Sequence, residues 1–460
     1  PIISTDSGNL KYLLKNYFIF INNDEKYNKE KWKIEIEKLY KNNKKCNNDN
    51  NKYLDFCENN IYKKVKNLID NTIISKYDFN DKNIGIIAPW ADQGLGIQAR
   101  SYYLTLKKMG YNPFIFAFRP YHGNKDNNFL QNNFEEWNYK NVYYSPNIRE
   151  NIDDFEMLNF IHDNNINKMI FIEATFKPIF KIASLLKMIN VKTYLIINIE
   201  CVKITEINYH NIFDKILCNN YNSYFLMNNL LMDKCTYFGF HLEHNYFLKN
   251  IKNKKEDNEI KFVCSGGLNS ISRKNIDLIY NVFYELFNDN DKFNNFKLII
   301  LIQDVEIPIQ INKDHPNIIK KIKNFSYIDN LKNLSKNDIY IHLGGQEGLG
   351  LGFYEALYLG LPIITLNWTP NNEIIFNNNN GWLIDCYIDK VYENSECIIN
   401  RGLVKKKELK KKLIDLIENI DDTKNVINNT IKNKNFFINN NEKKFMKKFK
   451  KILSPIPSFN

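Results

Sequence analysis

Short apolar runs alternate with amphipathic stretches along the chain from residue 83 onwards. The runs are continuous rather than strictly alternating, which is typical of strands buried on both faces of a parallel sheet. Strands that alternate with helices predict a doubly wound α/β fold. The predicted strands are NIGIIAPW, NPFIFAF, NVYYS, KMIFIEATF, KTYLIINIE and DKILCNN, then IKFVCSGG, FKLIILI, IKNFSYI, DIYIHLGG and LPIITLN.

The charged, apolar-poor segment FLKNIKNKKEDNEI interrupts this pattern, and we place an interdomain linker there. It separates two Rossmann-like α/β units, residues 81–250 and 258–420. The sequence of residues 1–80 predicts a mainly helical extension of unknown function. For residues 421–460 it predicts C-terminal helices, which we expect to pack back onto the N-terminal domain. The length of 460 residues also favours two domains with appendages over a single core.

The last helical stretch, NEKKFMKKFKKIL, places apolar residues on one face and lysines elsewhere. A basic amphipathic helix of this kind can lie on an anionic membrane or pack its apolar face on the domains. We favour packing, and peripheral contact with a membrane stays open. The residues of the apolar face are Phe445, Phe449, Ile452 and Leu453.

The composition narrows the class of protein only slightly. The abundance of Asn and Lys indicates an AT-rich genome, such as that of a protist, a parasite or a large DNA virus, and we interpret the asparagine runs as loops. The net charge of +11 suits an anionic partner, or equally a surface rich in lysine. Eight scattered cysteines without a CxxC pair argue against a zinc site and favour a reducing, cytoplasmic compartment. No apolar run approaches the ~20 residues that span a bilayer.

Glycine turns follow the first predicted strand of each unit. Gly94 and Gly96 open a helix in the first unit, and Gly266 and Gly267 end the first strand of the second. Glycine allows close approach of a ligand, and a helix N-terminus offers N–H groups to phosphate. A tight strand-to-helix turn needs glycine in any case. Two equivalent turns together therefore indicate a phosphate site better than either turn alone.

Two cations, Arg273 and Lys274, are predicted to begin the next helix of the second unit. Cations at a helix N-terminus oppose the macrodipole unless an anion lies between them and the amides. This arrangement predicts a bound diphosphate. The alternative is a pair of ordinary surface charges in a lysine-rich protein.

The stretch HLGGQEGLGLGFYEALYLGLPIITLNW holds six of the 17 glycines and two acids, Glu347 and Glu355, eight positions apart. Glu355 is predicted in the first turns of a helix, where a carboxylate suits the dipole and can accept two vicinal hydroxyls. Glu347 is predicted on the loop before it, facing a cleft. Acids that merely cap a helix on a tight loop are the alternative. The glycines predicted to leave the backbone amides open to a ligand are Gly348, Gly350 and Gly352.

The run EGLGLGFYEAL followed by GLPII resembles the paired-glutamate motif of retaining GT-B glycosyltransferases, especially family GT4. TPNNEII and NGWL resemble the family's next blocks, and the resemblance covers most of residues 83–400. It implies two Rossmann-like domains across a cleft and transfer of a sugar from a UDP-, GDP- or dTDP-sugar to an acceptor hydroxyl, with retention. It also implies that no cofactor or metal is required, and that the leaving phosphate oxygen takes the acceptor's proton.

Carried onto this sequence, the resemblance assigns a role to each residue of the site. Glu355 would bind the ribose hydroxyls, Glu347 the donor sugar, and Lys274 with Arg273 the diphosphate. Tyr327 and Ile328 would hold the base through main-chain groups. The other residues implied on the donor side are Gly94, Gly96, Gly266, Gly267, Gly348, Leu349, Gly350, Leu351, Gly352 and Glu373.

The sequence departs from the family pattern at two positions. Leu268 follows Gly267 where the family often has an arginine, and Arg273 or Arg119 is the expected substitute. Glu173 stands where many members have a histidine facing the donor sugar, as a catalytic acid or an ordinary strand-end acid. Glu200, at the end of another strand, is predicted to point toward the acceptor cleft.

Three other functions stay open at this point. A sugar-nucleotide 2-epimerase shares the two-domain fold but not the paired-glutamate loop. A DNA-modifying glucosyltransferase would use the net charge of +11 and bind DNA in a salt-sensitive manner. A non-enzymatic carbohydrate-binding or scaffold protein would place the function in residues 1–80.

Overall fold

The structure is a computed structural model. It describes residues 80–119, 137–148, 151–173, 177–243, 259–267, 271–289, 291–303, 309–323, 325–389 and 398–454. The predicted helical extension lies outside the described residues up to residue 79. The predicted linker also lies outside them, apart from its last two residues, Glu259 and Ile260.

The first sheet has seven parallel strands in the order β3-β2-β1-β4-β5-β6-β7. Reversal of the strand order beside β1 is the arrangement of a doubly wound Rossmann-like domain. The strands are β1 (Asn80–Ala88), β2 (Asn112–Arg119), β3 (Val142–Ile148), β4 (Ile166–Ile172), β5 (Lys192–Ile197), β6 (Lys215–Cys218) and β7 (Cys235–Tyr237).

The second sheet has six parallel strands in the order β10-β9-β8-β11-β12-β13, so it repeats the same topology. The predicted fold of two Rossmann-like domains is therefore confirmed. Its strands are β8 (Ile260–Gly266), β9 (Phe296–Ile302), β10 (Ile318–Ile322), β11 (Ile339–His342), β12 (Ile363–Leu366) and β13 (Gly381–Ile384), with a separate antiparallel pair, β14 (Tyr387–Ile388) and β15 (Gly402–Leu403).

Helices connect the strands of both sheets. Every residue of β11 and β12 is buried, which explains their continuous apolar sequences. The helices are α1 (Gly94–Lys108), α2 (Asp154–Asp163), α3 (Lys177–Met188), α4 (Tyr221–Leu231), α5 (Ile276–Asp289), α6 (Tyr327–Leu334), α7 (Leu351–Leu359), α8 (Asn371–Ile374), α9 (Lys406–Glu418) and α10 (Ile420–Leu453). Short 3-10 helices cover Ile199–Cys201, Ile204–Ile212, Met232–Lys234, Asp291–Phe293 and Ile309–Ile311.

The prediction of a strand over IKNFSYI is wrong. The strand β10 ends at Ile322, where that segment begins, and Tyr327 already starts α6. Ser326 caps this helix, because its hydroxyl accepts a hydrogen bond from the backbone N–H of Asp329 at 3.2 Å. A serine followed by a helix-compatible stretch therefore outweighed the β-forming character of Phe, Tyr and Ile.

The long helix α10 joins the two domains. Near its start, Val426 and Ile427 pack in the core of the second domain. Near its end, Phe445 and Phe449 pack in the cluster that contains Tyr102 of the first domain, and the rings of Phe445 and Tyr102 are stacked with centroids 6.0 Å apart. The apolar face that the sequence offered to a membrane or to the protein is thus covered by the protein.

None of the helices within the described ranges is long and apolar enough to cross a bilayer. In each domain the strands are parallel, so their carboxyl ends lie along a single edge. Ligands of open α/β sheets bind outside this edge, so a ligand site is expected among the loops that follow the strands.

Candidate active site

The glycine-rich loop between β11 and α7 is packed against protein atoms. A side chain at Gly348 would collide with the carboxylate of Glu200, and one at Gly352 would meet the Tyr340 hydroxyl at 2.8 Å. Gly350 has φ of 68°, in the left-handed region that favours glycine. The sequence predicted that these glycines leave room for a ligand. The structure adds that neighbouring protein groups take part of that room.

Glu347 lies on this loop in a cationic setting. Its Oε1 accepts hydrogen bonds from Nε2 of His342 at 3.0 Å and from Nη1 of Arg273 at 3.2 Å. Burial opposes ionisation of Glu347, but His342, Lys274 and Arg273 around it bring its pKa down to about 2. Burial lowers the pKa of His342, so the ring acts as a neutral hydrogen-bond donor. Glu347 is therefore a fixed, ionised acceptor.

Glu355 lies one turn into α7 and is also buried, with 6% of its surface exposed. Burial raises its pKa to about 7, while Lys274 and the hydroxyl of Tyr327 act against this shift. Two acids eight residues apart therefore differ in charge at neutral pH. Glu355 is poised between a neutral acid and a carboxylate that can accept two hydroxyls.

Lys274 lies close enough to both acids to interact with each. Its pKa is lowered, first by burial and then by Arg273, while Glu347 and Glu355 oppose the shift. The cations were predicted to begin a helix, but α5 starts only at Ile276, and they lie in the turn before it.

Asn275 fixes the position of this turn relative to the glycine-rich loop. It has φ of 53°, and its side-chain amide donates to the carbonyl of Leu343 at 2.6 Å. This hydrogen bond ties the turn to the start of the glycine loop, so that Arg273 reaches Glu347. Upstream of the turn, Gly266 is the last residue of β8, and Gly267 follows it near the Gln303 side chain. Leu268 lies outside the described residues.

The segment predicted to hold a base begins α6. The backbone N–H of Tyr327 donates to Asp92 of the first domain at 3.2 Å, and Asp92 also accepts from Nε1 of Trp137 at 2.7 Å. The guanidinium of Arg100 lies 4.5 Å from the ring centroid of Trp137 and 5.4 Å from that of Tyr327. Ile328 is partly buried beside Tyr327.

Glu373 binds the first domain rather than facing open space. Its carboxylate accepts hydrogen bonds from the backbone N–H groups of Tyr221 at 2.7 Å and Asn222 at 2.9 Å, at the N-terminus of α4. It therefore caps a helix across the domain boundary. The side chain of Asn220, next to these amides, donates to the carbonyl of Gly348. Leu349 is buried and Leu351 partly buried, and both pack in the cluster that spans the two domains.

The edge of the first sheet supplies glycines and acids. A side chain at Gly96 would collide with the carbonyl of Ala91, so the turn itself needs this glycine, whereas Gly94 has open space around it. Glu173 directly follows β4 in a left-handed conformation, with φ of 51°. Glu200 lies on the 3-10 turn after β5 and reaches across to Gly348 of the second domain. The side chain of Arg119 lies outside what the structure describes.

A chain of amides, missed by the sequence analysis, holds these acids. Asn198 donates to Glu173 at 2.8 Å and to the side-chain oxygen of Gln98 at 3.1 Å, and it accepts from Asn219 at 2.8 Å. Asn198 and Asn219 each follow a strand of the parallel sheet, and that position could have identified them. The high asparagine content of the chain obscured this signal.

Comparison with known proteins agrees with this architecture. Residues 246–433 match the family model described as "Glycosyl transferases group 1". None of the curated proteins matches the sequence.

Solved structures share the whole two-domain arrangement at low sequence identity. Anabaena HepE in complex with UDP and glucose has a TM-score of 0.57 at 10% identity, over 80% of this chain and 100% of that one. A glycosyltransferase from Rickettsia africae has a TM-score of 0.57 at 15% identity, over 82% and 100%. The pneumococcal O-GlcNAc transferase GtfA in complex with UDP and GlcNAc has a TM-score of 0.55 at 12% identity, over 81% and 98%.

The described residues therefore have the GT-B fold of two Rossmann-like domains. The C-terminal domain, which carries Glu347 and Glu355, is the part that matches the group 1 glycosyl transferases.

Proposed function

We propose that the protein is a retaining glycosyltransferase of the GT4 type, which moves a sugar from a nucleotide diphosphate sugar to an acceptor hydroxyl. The observation that carries this proposal is the arrangement of Glu347 and Glu355 around Lys274. An ionised acid, a titrating acid and a cation that interact with one another match the sugar, the ribose and the diphosphate of one extended ligand. The neighbours solved with UDP and a sugar support the same class of donor.

In the proposed complex, Glu347 accepts hydrogen bonds from the donor sugar and Glu355 from the ribose. Lys274 and Arg273 stabilise the negative charge that develops on the diphosphate as the glycosidic bond breaks. Gly94 has open space around its backbone at the start of α1, so its turn can approach the diphosphate from the first domain.

Closure of the domains excludes water from this reaction. The backbone N–H of Tyr327 already donates a hydrogen bond to Asp92. A nucleotide base that is bound by this N–H must therefore displace the Asp92 carboxylate. We propose that Asp92 and Glu373 add polar contacts between the domains when the donor is absent, besides the packing of α10. The residues proposed for diphosphate binding are cations of the protein, and we propose that the reaction requires no metal.

The first experiment is a screen of UDP-glucose, UDP-galactose, UDP-N-acetylglucosamine, GDP-mannose and dTDP-glucose. Binding is measured as a rise in the melting temperature, since a ligand of the folded state stabilises it by mass action. Turnover is measured as release of free nucleotide, with EDTA added in a parallel series. The anomeric proton of the product, observed by NMR, reports retention.

Site variants make the screen decisive. We expect Glu355→Ala and Lys274→Ala to abolish the donor-induced thermal shift and the turnover. Glu418→Ala, a change in an exposed ion pair with Lys292, should leave both unchanged. Turnover that survives both site substitutions contradicts the assignment of the site. Interconversion of two nucleotide sugars without an acceptor would instead establish an epimerase.

The acceptor is proposed to be a hydroxyl of a glycan, glycolipid or glycoprotein. Because the apolar face of α10 packs on the first domain, a membrane contact through this helix would depend on its exposed lysines. Binding to vesicles of anionic lipid that disappears at high salt is the expected behaviour of such a contact.

A further inference from the structure

A short part of the second domain, residues 398–403, crosses to the first domain beside the candidate site, and we call it the bridging segment. The backbone N–H of Ile398 donates to the carbonyl of Val202, in the loop after β5 of the first domain, at 3.0 Å. The side chain of Ile399 is buried in the cluster that contains Val202 and Ile197 of that domain. One end of the bridging segment is therefore anchored on the first domain.

The other end of the bridging segment contacts both elements that are proposed to hold the donor. The backbone N–H of Gly402 donates to the carbonyl of Gly345, near the start of the glycine-rich loop, at 2.9 Å. The guanidinium of Arg401 donates through Nη2 to the carbonyl of Ser272 at 3.1 Å. Ser272 comes directly before Arg273, in the turn that carries the two cations. Two neighbouring residues of one segment thus hold the glycine-rich loop and the cation turn.

The backbone that carries Arg401 is closely packed. A side chain at Gly345 would collide with the carbonyl of Gly402, and a Cβ at Gly402 would lie 2.8 Å from the ring of Trp368. The pairing of β14 with β15 holds the segment from the other side, because the backbone N–H of Asp389 donates to the carbonyl of Arg401 at 2.8 Å. The guanidinium of Arg401 therefore extends from a backbone that is fixed relative to the glycine-rich loop.

The cation turn is held at both of its ends. After the cations, the side chain of Asn275 donates to the carbonyl of Leu343 at 2.6 Å. Before them, the carbonyl of Ser272 accepts from the backbone N–H of Asn275 at 3.3 Å and from Arg401 at 3.1 Å. The cations lie in between, outside α5, which begins at Ile276. A hydrogen bond from a guanidinium is charge-assisted and stronger than one between neutral groups, so the contact of Arg401 contributes strongly to the position of the turn.

We propose that Arg401 is a positioning residue for donor binding, because its hydrogen bond to Ser272 holds the turn whose two cations bind the diphosphate. This inference rests on the proposed glycosyl transfer. Arg401 acts through the turn and is not assigned a contact with the donor itself. Since the same segment is anchored on the first domain through Ile399, the position of the cations also depends on the contact between the domains.

The first test is kcat/KM for UDP-glucose, or for the member of the screen that is turned over, in variants at position 401. Arg401→Met retains most of the side-chain length and removes the hydrogen bond, so kcat/KM should fall by about tenfold. Arg401→Lys keeps an N–H donor of similar reach and should retain most of kcat/KM. The matched control is Lys407→Met, which removes an exposed charge six residues further along and should have no effect.

A double-mutant cycle with Lys274→Met distinguishes positioning from direct contact. If Arg401 acts through the cation turn, its removal matters less once a cation of that turn is gone. In the Lys274→Met background, Arg401→Met should therefore lower kcat/KM further by only about threefold or less. Two independent contacts with the diphosphate would instead give effects that multiply in full.

Ile399→Ala tests the anchor on the first domain. The substitution leaves every proposed donor contact in place but loosens the bridging segment, so KM for the donor should rise several-fold. The rates are measured at a temperature at which circular dichroism shows the variant fully folded, which separates this effect from loss of stability. Ile388→Ala, on β14 and 44% exposed, is the control and should leave KM unchanged.

Each outcome supports or overturns the inference. If the unaltered protein turns over a donor and Arg401→Met is equally active, or if Arg401→Lys loses as much activity as Arg401→Met, the positioning role is overturned while the proposed function stands. Effects that multiply in full with Lys274→Met overturn it as well and assign Arg401 to the diphosphate. An unchanged KM in Ile399→Ala overturns the dependence on the first domain. If the unaltered protein neither binds nor turns over any donor of the screen, the proposed function fails and the inference fails with it.

Discussion

The candidate site has two walls, one formed by each domain. Each wall carries a buried glutamate, and the pKa of the glutamate is lowered on one wall and raised on the other. On the wall of the second domain, Glu347 is surrounded by His342, Lys274 and Arg273, and its pKa falls to about 2. On the wall of the first domain, burial and the acid Glu173 raise the pKa of Glu200 to about 8. Burial opposes ionisation at both positions.

The difference shows that neighbouring charges, rather than burial alone, decide the charge of each acid. The second domain supplies cations and one permanent carboxylate, which suits an anionic donor with hydroxyls. The first domain supplies amides and one buried acid, Glu200, whose pKa is raised. Four substitutions or conditions test this contrast.

The largest effect is expected from Phe449→Ala, which weakens the connection between the walls. Phe449 is fully buried on α10, in the cluster shared with Tyr102 and Phe238 of the first domain. Loss of a buried aromatic ring should reduce the free energy of unfolding by about 3–5 kcal/mol. Denaturant titration measures it, with Phe436→Ala as control, because Phe436 on the same helix is 73% exposed. Equal losses in the two variants would contradict the packing described for α10.

Lys274→Met removes a cation from the second wall and retains most of the side-chain volume. We expect kcat/KM for the nucleotide sugar to fall by about 10²–10³, because one preorganised charge on the diphosphate is lost. Steady-state nucleotide release measures the effect. The exposed Lys292 provides the control, and Lys292→Met should behave like the unaltered protein. A similar loss in both variants would show that net charge, not this position, is responsible.

The affinity for donor should depend on pH through Glu355. Its pKa is raised to about 7 and only the ionised form accepts two ribose hydroxyls, so UDP-glucose should bind more tightly as pH rises through 7. Because about a tenth of the carboxyls are ionised one unit below the pKa, binding at pH 6 should be roughly tenfold weaker than at pH 8. Isothermal calorimetry checks this, and Glu355→Gln should bind weakly at both pH values. An unchanged pH dependence in that variant would assign the effect to another group.

The smallest effect is expected from Glu373→Gln, which weakens a direct contact between the walls. A neutral amide is a poorer acceptor for the N–H groups of Tyr221 and Asn222 than the carboxylate is, so stability should fall by about 1 kcal/mol. Thermal unfolding measures the loss, with Glu418→Gln as a matched exposed control. If donor affinity falls strongly while stability is unchanged, Glu373 contacts the donor, as the family resemblance implied.

The sequence predicted most of the architecture because the apolar runs are long and continuous. The strands around Ile86, Ile170 and Ile341 are buried as expected, and the parallel order follows from strands that alternate with helices. The prediction failed at IKNFSYI, where the capping serine Ser326 starts a helix inside an apolar stretch. Local apolar character alone did not distinguish a strand from a helix in this segment.

The sequence by itself determined the two Rossmann-like domains and the position of Glu347 and Glu355 on one loop and the helix after it. Both depend on local spacing, which a linear pattern records. Only the tertiary structure decided the ionisation of these acids, the capping of α4 by Glu373, and the meeting of Glu200 with Gly348 across the domain boundary. The groups that control them come from distant segments, and the free energy of a charge depends on distance in space and on burial rather than on separation along the chain.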